Sequence, residues 1–205
     1  LIPDNYQENR ENLIVDRTSS TNIGLSILAV VSSYDLGYSN FKETIELLKN
    51  ILITVDRLPK WNGHLYNWYS TKTCEPLIPR YISTVDSGNF VGYLYVTKQF
   101  LLNRIKFNFI LKNNKNKFYG KQDFSKKQSR INYKNNIKFL INIIDKIIEN
   151  TDFSVLYSYD QRLFSIGFNI EENKLTDSYY DLLASEARQA SLIAISKKDI
   201  PSKHW

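Results

Sequence analysis

Between Trp61 and Asn89 the chain crowds together side chains suited to hold a polyol. Trp61, His64, Tyr66, Trp68 and Tyr69 fall within nine residues, beside Asn62 and Asn67, and Asp86 and Asn89 close the stretch. Aromatic faces stack on the C–H faces of sugars, while amides and carboxylates supply the donors and acceptors their hydroxyls need. Tyr66 and Trp68, two apart in a strand-like run, are expected on one face and Tyr69 on the other. The same composition also suits a packed loop over a helical core. Two further places carry comparable groups. Arg17, Thr21 and Asn22 open an apolar helix, and Glu186 with Arg188 lies in the Ala-rich stretch Ala184-Ser185-Glu186-Ala187-Arg188.

Other chemistries fit less well. The chain has two histidines and one cysteine, Cys74, so no zinc ligand set is expected, nor any cofactor. Ser87 lacks the Gly-x-Ser-x-Gly setting of a nucleophile elbow. The net charge of +6 would suit nucleic acid, but it is local: from Lys98 to Lys138 twelve Lys/Arg stand against one acid, Asp123, and the rest is mildly acidic. Asn-rich padding makes this segment a solvated insertion rather than a nucleic-acid groove. A single cysteine excludes an internal disulfide and fits a reducing compartment. No run approaches the roughly 20 apolar residues of a membrane span.

These groups need elements to position them. Thr18 to Thr21 offer capping hydroxyls for a helix over about 21–36, apolar on nearly every side and therefore buried. Asn40 and Glu43 form a capping pair for a second helix, whose stripe is Phe41, Ile45, Leu48, Leu52 and Val55. Ser87 or Asn89 starts a third, and a fourth runs over about 133–150, with 112–136 as a basic Lys/Asn-rich insertion between them. Residues 153–159 and 163–170 predict one β-hairpin around Asp160-Gln161-Arg162. A last helix over about 179–196 carries Ala184, Ala187 and Ala190 as a small-residue face for close helix approach.

Three blocks resemble a known family. RTSSTNIG (17–24), GHLYNWYSTKTCEPLIPRYISTVDSGN (63–89) and DQRLFSIGFNIEENKLTDSYYDLLASEARQASLIAI (160–195), with the closing PSKHW, are similar to the middle region of cyclic β-1,2-glucan synthases. The resemblance implies a mainly α fold: the N-terminal half of an (α/α)6 toroid with extended loops. It would span 1–205 as one incomplete domain, from a multidomain inner-membrane protein and on its cytoplasmic side. It further implies a retaining transglycosylation that cyclises β-1,2-glucan through two carboxylates. In the family the catalytic glutamates lie in the later half, so none is assigned here. The implied partners are β-1,2-glucan and either the missing half of the toroid or a companion chain.

The substrate-binding set is then Arg17, Asn22, His64, Trp68, Tyr69, Asp86, Asn89 and Glu186. Asp86 is open between capping a helix and holding a sugar hydroxyl. Glu186 is open between a buried ion pair, with Arg17 or Arg80, and substrate contact. A degenerate remnant that binds without turnover is the competing reading.

Overall fold

A computed structural model describes the backbone of residues 1–8, 14–115, 124–181 and 186–205, and the side chains of these except 107–132. After strand β1 (Arg17–Thr18), helix α1 (Ser20–Asp35) begins at a capping box in which Ser19 and Asn22 satisfy each other's backbone and side chain. The turn at 36–40 is short, and Asn40 and Glu43 form the expected reciprocal box opening α2 (Phe41–Arg57). Of the expected stripe, Ile45, Leu48, Leu52 and Val55 are buried and Phe41 packs against the core. At the far end Lys60 Nζ donates to the carbonyls of Val55, Asp56 and Leu58 at 2.6, 3.0 and 3.0 Å, closing α2 with a charged cap.

The connection at 58–83 is long and built from short strands. β2 (Lys60–Trp61) and β3 (His64–Leu65) pair as a hairpin across Asn62 and Gly63, both at positive φ, as a two-residue turn of this type requires. The Asn62-Gly63 pair is itself the local signal for this turn. β4 (Tyr69–Ser70) pairs back onto β1, and β5 (Tyr81–Ser83) leads into α3 (Thr84–Lys115). Helix α3 therefore starts before Ser87, because Ser83 Oγ accepts from Asp86 N–H at 3.2 Å and serves as the cap. Helix α4 (Phe124–Asn150) likewise starts earlier than expected. The two helices reach into the 112–136 stretch from either side, while 116–123 lie outside the described residues.

A second long connection, 151–187, holds β6 (Tyr157–Ser158), β7 (Leu163–Phe164), β8 (Gly167–Asn169) and β9 (Lys174–Leu175). β6 and β7 form a hairpin around Asp160-Gln161-Arg162, but a shorter one than expected: Phe153–Leu156 turns into a short 3-10 helix, and β8 leaves the hairpin to join β5 and β9 in a three-stranded sheet that ties the two connections together. Trp61 stacks on Phe168, ring centroids 4.2 Å apart. The last helix, α5 (Arg188–Lys197), is shorter than expected, with Glu186 and Ala187 in a turn before it.

The helices form two layers. In one, α3 lies between α1 and α5; in the other, α2 packs beside α4. Thr21 meets Asp86 at one end of α1 and α3 while Asp35 meets Arg104 towards the other, so these two helices run parallel. Gly88 lies against Ala190 and the Asp199 charge reaches Tyr95, so α5 runs the same way. Helices α2 and α4 return in the second layer, joined through Phe41 to Tyr133 and Asp56 to Lys146. Of the expected small-residue face, Ala190 alone packs from within α5, where a Cβ on Gly88 would lie 2.5 Å from its own; Ala187 precedes the helix and Ala184 lies outside the described residues. Both long connections therefore gather at the end where α1, α3 and α5 begin. No helix among the described residues is long and apolar enough to cross a membrane.

Candidate functional site

Three helix N-termini meet at this end, each with its partial positive charge. Thr21 Oγ1, in the first turn of α1, donates to Asp86 Oδ1 at 2.5 Å. Asp86 is therefore not a helix cap. Ser83 performs that task and leaves the carboxylate to bridge α1 and α3, half-buried. Asn89 follows one turn later on the same face of α3, half-buried, and its side chain meets no hydrogen-bond partner among the described residues.

Tyr180 belongs to the second long connection. Its N–H donates to Phe164 O at 2.9 Å, and its ring packs against the core. Burial pushes its phenol up, and the charges of Glu186, Tyr81 and Asp86 add to that in this order. The charges of Glu186 and Asp86 are thus felt at this phenol, though burial is the larger cause. Glu186 is exposed in the turn before α5, so the expectation of a buried ion pair is corrected. Arg17 is paired instead with Asp4 at 3.3 Å, and Arg80 with Glu171 at 3.0 Å.

Beside α1, the β1–β4 pairing sets Arg17 opposite Ser70 and brings its guanidinium 4.2 Å from the centroid of the Trp68 ring. Trp68 is half-buried and pinned by Leu77 N–H, which donates to its carbonyl at 2.9 Å. One face of the indole is therefore covered by a cation held in turn by Asp4.

Three expected site residues are withdrawn, wholly or in part, by their surroundings. His64 is 1% exposed, with Nε2–H donating to Asp152 O at 2.7 Å and its ring edge-on to Phe153. Burial holds it down at about 4, so it is a neutral core residue. Tyr69 is fully buried. Its hydroxyl donates to Pro59 O at 2.6 Å and accepts from Tyr66 N–H at 2.9 Å, and burial pushes its phenol up. Tyr66 packs edge-on against Tyr69, so the expected alternation fails: residues 66–68 are not a strand. Asn22 stays at the right end, but its Oδ1 is committed to Ser19. Ser87 is buried and its hydroxyl has no hydrogen-bond partner among the described residues.

Thr21 and Tyr180 were not in the expected set. Thr21 carried a weak signal as a helix-opening hydroxyl, and nothing in the spacing around Tyr180 links it to Asp86, 94 positions earlier in the chain.

This arrangement, long connections gathered where parallel helices of one layer begin, recurs in known structures. A putative glucoamylase from Bacteroides caccae superposes with a TM-score of 0.69 over 95% of this chain and 41% of its own, at 14% identity. An endo-β-1,2-glucanase from Chitinophaga pinensis, solved with sophorotriose and glucose, gives 0.64 over 98% and 41%, at 16% identity. The fold is part of a glucoamylase-like (α/α)6 toroid. In sequence the chain resembles one segment of a cyclic β-(1,2)-glucan synthase, NdvB of Rhizobium meliloti (strain 1021), at 29% identity over 301 aligned residues. That match takes in all of this chain but spans only 11% of the relative's length. The alignment is longer than the 205 residues here, as expected where the relative carries sequence this chain lacks. No protein-family model matches the chain.

Proposed function

We propose that this chain is the β-1,2-glucan-holding portion of a transglycosylase-like glycoside hydrolase domain, and that it does not turn over substrate alone. The observation that carries this reading is the Thr21–Asp86 contact, with Tyr180 within electrostatic range of both Asp86 and Glu186, at the loop-bearing end of a toroid fold shared with an endo-β-1,2-glucanase. There a glucan would meet two carboxylates, a phenol and the free amide of Asn89. Trp68, beside the start of α1, offers an aromatic surface with Arg17 at its edge. In this reading residues 1–205 form one incomplete toroid unit interrupted by the basic stretch 112–136, and the chemistry requires residues outside it.

The proposal is tested by titrating the chain with linear β-1,2-glucooligosaccharides while following tryptophan fluorescence and heat, and by analysing the same mixtures for cyclic or shortened products. Saturable binding without products is expected. Absence of binding would leave a scaffold without a sugar site, and appearance of products would mean that the chain carries its own catalytic pair.

A further inference from the structure

Helix geometry sets the polar residues at the start of α3 on a diagonal. Residues three apart sit nearly one turn on but about 60° back around the helix axis, so Asp86, Asn89 and Gly92 step sideways across α3. Asp86 looks to α1, where it meets Thr21, and Gly92 looks to α5. Asn89 lies between them on the side turned away from the core: Val96, two turns on along that side, is 55% exposed, whereas Val91 and Leu94 are buried. At Gly92 the side chain of Gln189, from the first turn of α5, fills the space a side chain would need. A Cβ there would sit 1.6 Å from Gln189 Nε2 and 2.8 Å from its Cδ. Gln189 is half-buried, and its carboxamide, like that of Asn89, meets no hydrogen-bond partner among the described residues.

We propose that Gln189 is a further glucan-binding residue, the far end of a polar track that runs from Thr21 on α1 across Asp86 and Asn89 to α5. This rests on the glucan reading above and extends it by one position along the sugar chain. A carboxamide with both its N–H groups and its oxygen unpaired can donate to one hydroxyl of a sugar ring and accept from the next. Away from bulk water such a bond is also electrostatically stronger. Two amides of this kind follow the Asp86 carboxylate along the diagonal. A glucosyl residue held at Asp86 and Asn89 therefore leaves its neighbour in the chain at Asn89 and Gln189. Gly92 belongs to this position through the side chain it lacks, because any Cβ would drive the Gln189 amide off α3.

Calorimetric titration of the whole chain with linear β-1,2-glucooligosaccharides of increasing length tests this. Gln189→Met keeps the length of the side chain and loses its hydrogen bonding. It should weaken binding about five- to tenfold, the scale of one or two lost hydrogen bonds, with an unchanged urea midpoint. Gln189→Ala should weaken binding equally. Gly92→Ala should do the same by displacing the amide, and adding it to Gln189→Ala should bring no further loss. The loss in all three variants should grow with oligosaccharide length, whereas Asp86→Asn should weaken binding at every length. Gln189 variants that bind every length as the wild type does would overturn the proposal and leave the glucan site standing. An equal loss at all lengths with a lowered urea midpoint would overturn it too, by assigning Gln189 to packing alone. A wild-type chain that binds no glucan defeats the reading beneath the proposal, and the proposal with it.

Discussion

Thr21 Oγ1 and Asp86 Oδ1, 65 positions apart in sequence, stand 2.5 Å apart at the shared start of α1 and α3. A hydroxyl donating to a carboxylate at this length is a charge-assisted bond, about twice as strong as a neutral one. It fixes the carboxylate's direction at the place where a sugar hydroxyl would compete for its second oxygen. Replacing Thr21 with Val keeps the shape and removes the donor. We expect a loss of about 1–2 kcal/mol in urea unfolding and a clear fall in glucan affinity. Asp86→Asn should lower affinity further with a similar loss of stability. Equal glucan binding by wild type and both variants would remove Asp86 from the site.

Trp68 and Arg17 separate stacking from packing. Because Trp68 is half-buried and its guanidinium contact is worth only about 0.5–1 kcal/mol, Arg17→Ala should leave the melting temperature nearly unchanged while altering the indole emission. Trp68→Ala should cost roughly tenfold or more in glucan affinity, in line with about 1.5 kcal/mol for a lost aromatic surface. An undiminished affinity in Trp68→Ala would mean that the ring is only packing.

His64 makes stability depend on pH in a defined direction. Its folded value, about 4, lies below the ordinary 6.5 that it regains on unfolding. Between these values the unfolded chain takes up the proton and the folded chain does not. This contribution is therefore complete above pH 6.5 and lost progressively as pH falls to 4, by about 3 kcal/mol in all. Urea midpoints at pH 7, 5.5 and 4.5 should show the decline, and it should flatten in His64→Gln. A decline of equal size in that variant would place its origin in other groups.

Gly63 tests the hairpin that carries the aromatic loop. Its φ is 79°, and an added Cβ would sit 1.9 Å from the carbonyl oxygen of Asn150 at the end of α4. Gly63→Ala should destabilise the fold by roughly 2–4 kcal/mol, combining left-handed strain with a backbone clash. Gly37→Ala, at a similar φ of 81° but with nothing nearby, isolates the strain alone and should cost about 1 kcal/mol. Equal losses at the two sites would mean that the Asn150 contact relaxes freely.

Much of the helical scaffold was written locally. The Ser19 and Asn40 caps, the apolar stripe of α2 and the small-residue face at Ala190 depend on neighbours within a few turns, and periodicity exposes them. So did the turn around Asp160-Gln161-Arg162. The blocks that resemble cyclic β-1,2-glucan synthases pointed to the toroid, and the fold bears that out. What spacing could not deliver was direction across the fold. His64 and Tyr69 belong to the same aromatic run as Trp68, yet two are core and one is at the surface, because burial is set by which later segment packs on each. His64 is covered by Asp152 and Phe153, nearly 90 positions on. Asp86 stays open between cap and sugar contact in the sequence because the expected start of its helix lies about a turn too late, and the β5–β8 pairing fixes where α3 begins. Local composition chose the elements and the residue types at their ends; long-range packing alone decided which of those ends share a site.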